Sequence, residues 1–336
     1  MPPPSVRKSA TLHDVAREAG VSPITASRAL SNPGIVSART IERVQKAVEA
    51  TGYIPNLLAG GLKSKRSLMV AALVPAISVA QFLPTLQALT EALDAAGYQL
   101  ILGQAGYDHS REDALLTTVI SRRPDGIVLT GLLHSHSARE RLRRLGIPVV
   151  EMWDLTDRPV DMVVGFSHLK VGGAIAGYFL GKGWQRLGIA TADDHRALMR
   201  RDGFLSVVGH DVPTAIVPAP SGLELGRRAL GELLQKDPSL QAVYCSSDQM
   251  AQGVLTEARV RGLRIPHDLA VCGFGDAAFS AHLDPSLSTV FVDGASIGRL
   301  AAQLIVARCR GQNVEQRVID VGFRIIERQS TSGADA

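Results

Sequence analysis

The chain has 336 residues, 46% hydrophobic and 20% charged, a balance that excludes a disordered or low-complexity protein. Its length suits two or three domains, and a chain this long buries a core that needs no disulfide staples. Residues 1–66 hold ten Lys or Arg against four Asp or Glu, a net +6 in a chain of +4, so the remainder carries −2. A basic head on a mildly acidic body fits a polyanionic partner or a merely solvated basic surface, and charge alone does not separate the two. Cys245, Cys272 and Cys309 lie far apart with no CxxC pair, which argues against a zinc site or disulfide framework and for a reducing compartment. The longest uncharged apolar run, Leu68–Ala80, is shorter than the roughly 20 residues of a membrane span. MPPPSVRKSA lacks the apolar segment of a secretory signal. The expected location is the cytoplasm, with no membrane partner.

Three short helices are predicted in the head. Thr11 caps the first, Leu12 to Ala19, with Asp14 in capping-box position and Gly20 as its stop. Ser22 caps the second, which begins at Pro23 and ends near Leu30 before the breaker Asn32-Pro33-Gly34. Ser37 caps the third, which runs to about Ala50 with Ile41, Val44 and Val48 as its apolar stripe and Gly52 beyond it. Helix, tight glycine turn, helix is a helix-turn-helix pattern. The second helix exposes Ile24, Thr25, Ser27 and Arg28 beside the small Ala26 and Ala29, which suits entry into a major groove. A three-helix bundle without a ligand is the alternative.

The run LHDVAREAGVSPITASRALSNPGIVSARTIERVQKAVEATGYIPN resembles the headpiece of the LacI/GalR family of bacterial repressors, most specifically in AxxAGVS, TASRAL, VS at 36–37 and GYIPN. The resemblance implies that Pro23 and Ile24 meet base edges. Both are apolar, so they would touch a thymine methyl or exclude a base by shape. It also implies that Thr25, Ser27 and Arg28 make polar contacts, with Arg28 facing a guanine, and that Thr11, Tyr53 and Asn56 position the phosphate backbone. The segment NLLAGGLKSKRS would be a hinge helix that orders on operator, with Leu62 as a minor-groove wedge and Leu58 and Ala59 on its contact face. Gly60 and Gly61 depart from the family pattern, each costing about 0.8–1 kcal/mol in a helix. The expected boundaries are 1–54 for the headpiece, 55–66 for the hinge and 67–336 for an effector-binding and dimerisation core.

In the body, strand-length apolar runs alternate with helical segments. The predicted strands are Met69–Val74, Gln99–Leu102, Gly126–Leu129, Pro148–Met152, Met162–Phe166, Gly188–Ala190, Ala215–Val217, Ala242–Cys245, Leu269–Gly273, Ser288–Val292 and a late Arg317–Ile326. Such βα repetition implies doubly wound parallel sheets, and about ten strands suit two lobes with ligand between them. RRPDGIVLTG, GIPVVEMWD, CSSDQMAQGV, IPHDLAVCGFGD and LSTV resemble the periplasmic-binding-protein-like core of the same family. GYQLILGQAGYDHSRED and MVVGFSH resemble gluconate-operon repressors in particular. The resemblance implies an aromatic stack from Phe82, and from Trp153 at a strand end, and an effector grip from Arg200. It further brings Ser247, Asp248, Gly275 and Asp276 to the effector site. Ser247, Gly275 and Val292 stand where relatives place Asn, Asp and Gln that read sugar hydroxyls, which disfavours a neutral pyranose.

The sequence contains no HExxH and no P-loop. Gly273, Gly275 and Ala278, with Asp293 twenty residues beyond Gly273, form a loose dinucleotide fingerprint inside a stretch the family resemblance already covers. His109, His134 and His136 are scattered and suggest no metal site. No cofactor is expected. The expectation is therefore a homodimeric transcriptional regulator, most simply a repressor, that binds a pseudo-palindromic operator and answers to a sugar acid such as gluconate. The alternative is a small-molecule binding protein without a DNA role, which would carry a secretion signal and no basic head.

Overall fold

The computed structural model describes residues 10–54, 66–107, 109–132, 135–209 and 211–332, with backbone alone at 109 and 110. The chain divides into two compact units, Met1–Ser67 and Leu68–Ala336.

The first unit holds α1 (Leu12–Glu18), α2 (Pro23–Ser31) and α3 (Ala38–Thr51). Their shared core is small: Val15, Ala16 and Ala19 meet Ala26 and Ala29, and Val44 and Ala47 close it. Alanines on the facing sides let short helices approach closely, which a core of this size requires. Gly20 takes the left-handed conformation (φ +63) that ends α1, and the Arg43 guanidinium donates to the Ala19 and Gly20 carbonyls there. Ser22 Oγ accepts the Thr25 N–H at 3.1 Å and caps α2. Ser37 stands at the cap of α3, but its hydroxyl bonds the Thr40 hydroxyl at 2.9 Å and makes no bond to a backbone N–H, unlike the expected cap.

The second unit has two lobes. The first is a parallel sheet in the order β11-β5-β4-β3-β1-β2, built from β1 (Met69–Val74), β2 (Gln99–Gln104), β3 (Gly126–Thr130), β4 (Val149–Met152), β5 (Met162–Gly165) and β11 (Val318–Asp320). The second is a parallel sheet in the order β7-β6-β8-β9, from β6 (Leu187–Ala192), β7 (Thr214–Val217), β8 (Ala242–Cys245) and β9 (Ala270–Cys272). An antiparallel ribbon of β10 (Thr289–Phe291) and β12 (Arg324–Ile326) accompanies the second lobe. Central strands are buried on both faces, which is why they read as unbroken apolar runs.

The helices are α4 (Leu83–Ala95), α5 (His109–Ser121), α6 (His136–Leu145), α7 (His168–Gly181), α8 (His195–Val208), α9 (Leu223–Lys236), α10 (Asp248–Val260), α11 (Gly294–Cys309) and α12 (Gln329–Ser332). The chain crosses between lobes three times: after β5, before α11, and between β11 and β12. The expected single strand Arg317–Ile326 is thus two. Gly322, at φ +66, turns the chain out of the first sheet, and its N–H donates to Asp320 Oδ1 at 2.9 Å. Helices α7 and α8 pack so tightly that a Cβ at Gly172 would overlap the Arg200 carbonyl, and one at Gly203 the Leu169 carbonyl.

Candidate functional site

The carboxyl ends of β1, β3 and β4 face those of β6 and β8 across a cleft, the place where doubly wound sheets present their loops to ligand. A cavity of about 630 Å³ lies there, lined by Thr130, Leu132, Asp154, Asp193, Asp194 and Arg196 among others. A recess of about 40 Å³ adjoins it, against Phe82, Arg200, Ser246, Ser247 and Gln249. Tyr107, Asp194 and Arg196 border both.

Arg200 is buried, 4% exposed, and its orientation is over-determined. Its Nε–H donates to the Tyr244 hydroxyl at 3.0 Å, Nη2 to the Ser246 carbonyl at 3.0 Å and Nη1 to His168 Nδ1 at 2.9 Å, while the Phe274 ring lies 3.9 Å from Cζ. None of these partners is a carboxylate, so the charge is held but not neutralised. Burial pushes the Tyr244 hydroxyl up to about 12 despite Arg200, so it serves as a neutral acceptor. Burial, and then the Arg200 and Arg196 charges, hold the His168 imidazole well below its ordinary range. Arg196, one turn earlier on α8, reaches over the Phe82 ring at 5.2 Å and donates to the Thr130 carbonyl at 3.4 Å. Two guanidiniums on one helix face thus meet at the recess.

Of the residues expected at the effector site, Phe82, Arg200 and Ser247 lie together on the recess wall. Ser247 also caps α10, accepting the Met250 N–H at 3.2 Å, and bonds Ser221 at 3.1 Å. The other four stand elsewhere. Trp153 is 1% exposed behind Phe82, edge-on at 5.1 Å, and its indole N–H is committed to Thr85 Oγ1 at 3.0 Å, so no face is open for stacking. Asp248 is buried among the Ala277 N–H and the Ser280 and Thr289 hydroxyls. Asp276 pairs with Arg328 at 2.8 Å. Gly275 N–H donates to the Val290 carbonyl, and a Cβ there would crowd Gln81. Arg196, Asp154 and Tyr107 line the cleft as well, and His168 backs Arg200. Only Arg196 carries a sequence signal, its i,i+4 spacing to Arg200 in HRALMRR.

In the head, Ile24 is 65% exposed, and Ser27 and Arg28 are exposed beside it on α2. Pro23 and Thr25 are half-buried, and the Thr25 hydroxyl is engaged with Ser22 at 2.8 Å. The Thr11 hydroxyl donates to Asp14 at 2.7 Å, and Tyr53 packs against the head's core. Asn56, Leu58, Ala59 and Leu62, with Gly60 and Gly61, lie outside the described residues.

Residues 11–56 match the bacterial regulatory proteins of the lacI family, and residues 176–331 match a periplasmic binding protein-like domain. The chain is 37% identical over 327 residues to the HTH-type transcriptional regulator GntR of Pseudomonas aeruginosa, covering 96% of this chain and 95% of that one. The chain belongs to the lacI family. The HTH-type transcriptional regulator GntR of Escherichia coli K12 is 29% identical over 327 residues, covering 95% of this chain and 98% of that one. A lacI-family regulator from Silicibacter pomeroyi superposes with a TM-score of 0.90 at 33% identity, covering 96% of this chain and 99% of that one.

As a lacI-family member the protein is a DNA-binding transcriptional regulator and not an enzyme. The loose glycine fingerprint agrees with that. Gly273 and Gly275 spend their N–H groups on the Ser288 and Val290 carbonyls and offer no phosphate cradle. Among the described residues no cluster of His, Cys, Asp and Glu is placed to hold a metal, and no helix is long and apolar enough to cross a membrane.

Proposed function

We propose that this lacI-family protein is a cytoplasmic, homodimeric repressor of a sugar-acid operon, and that its cleft takes gluconate or a related aldonate. One observation carries the effector assignment: the Arg196 and Arg200 guanidiniums converge on one recess, and among the described residues neither is paired with a carboxylate. A buried, prearranged guanidinium binds a carboxylate by charge-assisted hydrogen bonds far better than it binds a neutral hydroxyl. The stretches that resemble gluconate-operon repressors support the same choice. Ile24, Ser27 and Arg28 supply the exposed face of α2 for the major groove, with Pro23 and Thr25 beside it and Thr11, Tyr53 and Asn56 toward the phosphates. The hinge, with Leu58, Ala59 and the Leu62 wedge, would bend the operator from the minor groove. Two-fold symmetry then calls for a pseudo-palindromic site. Domain limits of 1–54, 55–66 and 67–336 suit this division of labour.

Selection of operator from random DNA, with and without gluconate, tests the proposal. The expected result is a palindromic consensus whose affinity changes at least tenfold with gluconate. Enrichment that ignores sugar acids but answers to a neutral sugar would overturn the effector assignment.

A further inference from the structure

The larger cavity of the cleft carries the opposite charge from the recess beside Phe82. Glu112, Asp154, Asp193 and Asp194 line it, with His195 and the shared Arg196 beside them. Asp193 and Asp194 have structural partners: Asp193 Oδ1 accepts the Ala219 N–H at 2.8 Å, and Asp194 Oδ1 accepts the Ala197 N–H at 3.1 Å as the cap of α8. Asp154 differs. It follows Trp153 at the end of β4, is 1% exposed, and lines the cavity. Oδ1 accepts the Leu155 N–H at 2.8 Å, whereas Oδ2 is buried with no hydrogen-bond partner. A buried carboxylate oxygen left unmet is unfavourable, and native structures retain one where a ligand or water completes it. Burial raises the Asp154 carboxyl, and the Leu155 N–H and then the Arg196, His195 and Arg200 charges pull it back, so it shares the electrostatic field of the two guanidiniums.

We propose that Asp154 is a specificity-determining residue, whose Oδ2 accepts a hydroxyl of the ligand's polyol tail while the ligand's carboxylate lies at Arg196 and Arg200. The assignment rests on the anionic-effector proposal above and refines it. A site cationic at one end and lined by carboxylates at the other selects an acid charged at one end only. An aldonate presents hydroxyl donors to Asp154. An aldarate of equal length presents a second carboxylate, which meets like charge in a low-dielectric cleft and offers no donor.

Titration calorimetry on the full chain tests this with a six-carbon aldonate, the matching aldarate and the matching alditol. The wild type is expected to bind the aldonate at least tenfold more tightly than the aldarate. Asp154→Asn should weaken aldonate binding about tenfold and narrow the aldonate-to-aldarate ratio, and Asp154→Ala should shift the ratio the same way. The melting temperature of Asp154→Asn should hold or rise, because an unmet buried charge has been removed, and a merely structural aspartate would not behave so. If both acids bind and neither variant changes their ratio, the role of Asp154 is overturned and the anionic site stands. If the wild type binds neither acid, the effector proposal falls and this inference with it.

Discussion

Arg200 Nη1 donates to His168 Nδ1 at 2.9 Å, and because a guanidinium cannot accept, the remaining ring proton must sit on Nε2, aimed at the Trp153 carbonyl 2.9 Å away. One neutral imidazole at the start of α7 therefore joins the cleft arginine of the second lobe to the end of β4 in the first. Trp153 itself holds a left-handed backbone (φ +62), a strained state for a bulky residue that these contacts hold in place.

Stability should depend on pH through His168. Its folded pKa is depressed, whereas the unfolded chain takes up the proton near pH 6.5. Below that pH the unfolded state binds more protons. The stability is therefore fully present above about pH 6.5 and is lost as pH falls toward the folded value, by up to about 1.4 kcal/mol per pH unit. Urea unfolding at pH 7.5, 6.5 and 5.5 should show this slope, and His168→Gln should flatten it. Equal slopes in the variant and the wild type would show that other groups carry the dependence.

Asp248 should act on stability and not on ligand. Its oxygens accept the Thr289 hydroxyl at 2.6 Å, the Ala277 N–H at 2.7 Å and the Ser280 hydroxyl at 2.8 Å, which ties α10 to the connection after β9 and to β10. In Asp248→Asn an amide N–H must face one of these donors, at a cost of about 1–3 kcal/mol. The melting temperature should drop by several degrees with aldonate affinity changed less than twofold. A loss of affinity without a loss of stability would return Asp248 to the ligand.

The contrast between Asp248 and Arg200 shows how far the sequence reaches. Asp248 follows as a position beyond the end of β8, whose bounds are those expected, whereas Arg200 follows from the family resemblance. What periodicity does not carry is side-chain direction at a strand end, because that is decided by partners remote in sequence. Asp248 finds Thr289 forty-one residues on, Asp276 finds Arg328, and Trp153 finds Thr85 sixty-eight residues back. Arg196 was within reach, since i,i+4 spacing puts it on the face of Arg200. Asp154 was not, because an unpaired oxygen is a property of packing alone. The merged strand at Arg317–Ile326 failed for a local reason: its β-branched run outweighed Gly322, whose left-handed turn moves the chain to another sheet.

Two arginines of the head should fail differently. Arg28 is exposed on α2, whereas the Arg43 guanidinium is bonded to the carbonyls that end α1. Arg28→Ala should reduce discrimination at a single base pair by about 1–3 kcal/mol. Arg43→Ala should destabilise the headpiece by about 1.5–3 kcal/mol and weaken all DNA sequences alike. Fluorescence anisotropy on operator and single-mismatch duplexes, read with thermal melting of the head, separates these outcomes. Uniform loss from Arg28→Ala would make it a phosphate contact, with a shallower salt dependence to match.

The decisive variant for the effector is Arg196→Ala, not Arg200→Ala. Removing the Arg200 guanidinium strips partners from Tyr244, His168 and the Ser246 carbonyl, so affinity and fold would fall together. Arg196 is half-buried, and its bond to the Thr130 carbonyl is long at 3.4 Å, so the fold relies on it little. A charge-assisted hydrogen bond to a ligand carboxylate contributes about 1.5–3 kcal/mol, which corresponds to roughly 10- to 150-fold in affinity. Arg196→Ala should therefore weaken aldonate binding by at least tenfold with a melting temperature within about 1 °C of wild type, and leave any weak alditol binding unchanged. Arg196→Lys should recover only part of the loss, because a point charge cannot reproduce the guanidinium's fork. Calorimetry that found Arg196→Ala binding the aldonate as tightly as the wild type would show that the recess beside Phe82 is not where the carboxylate sits.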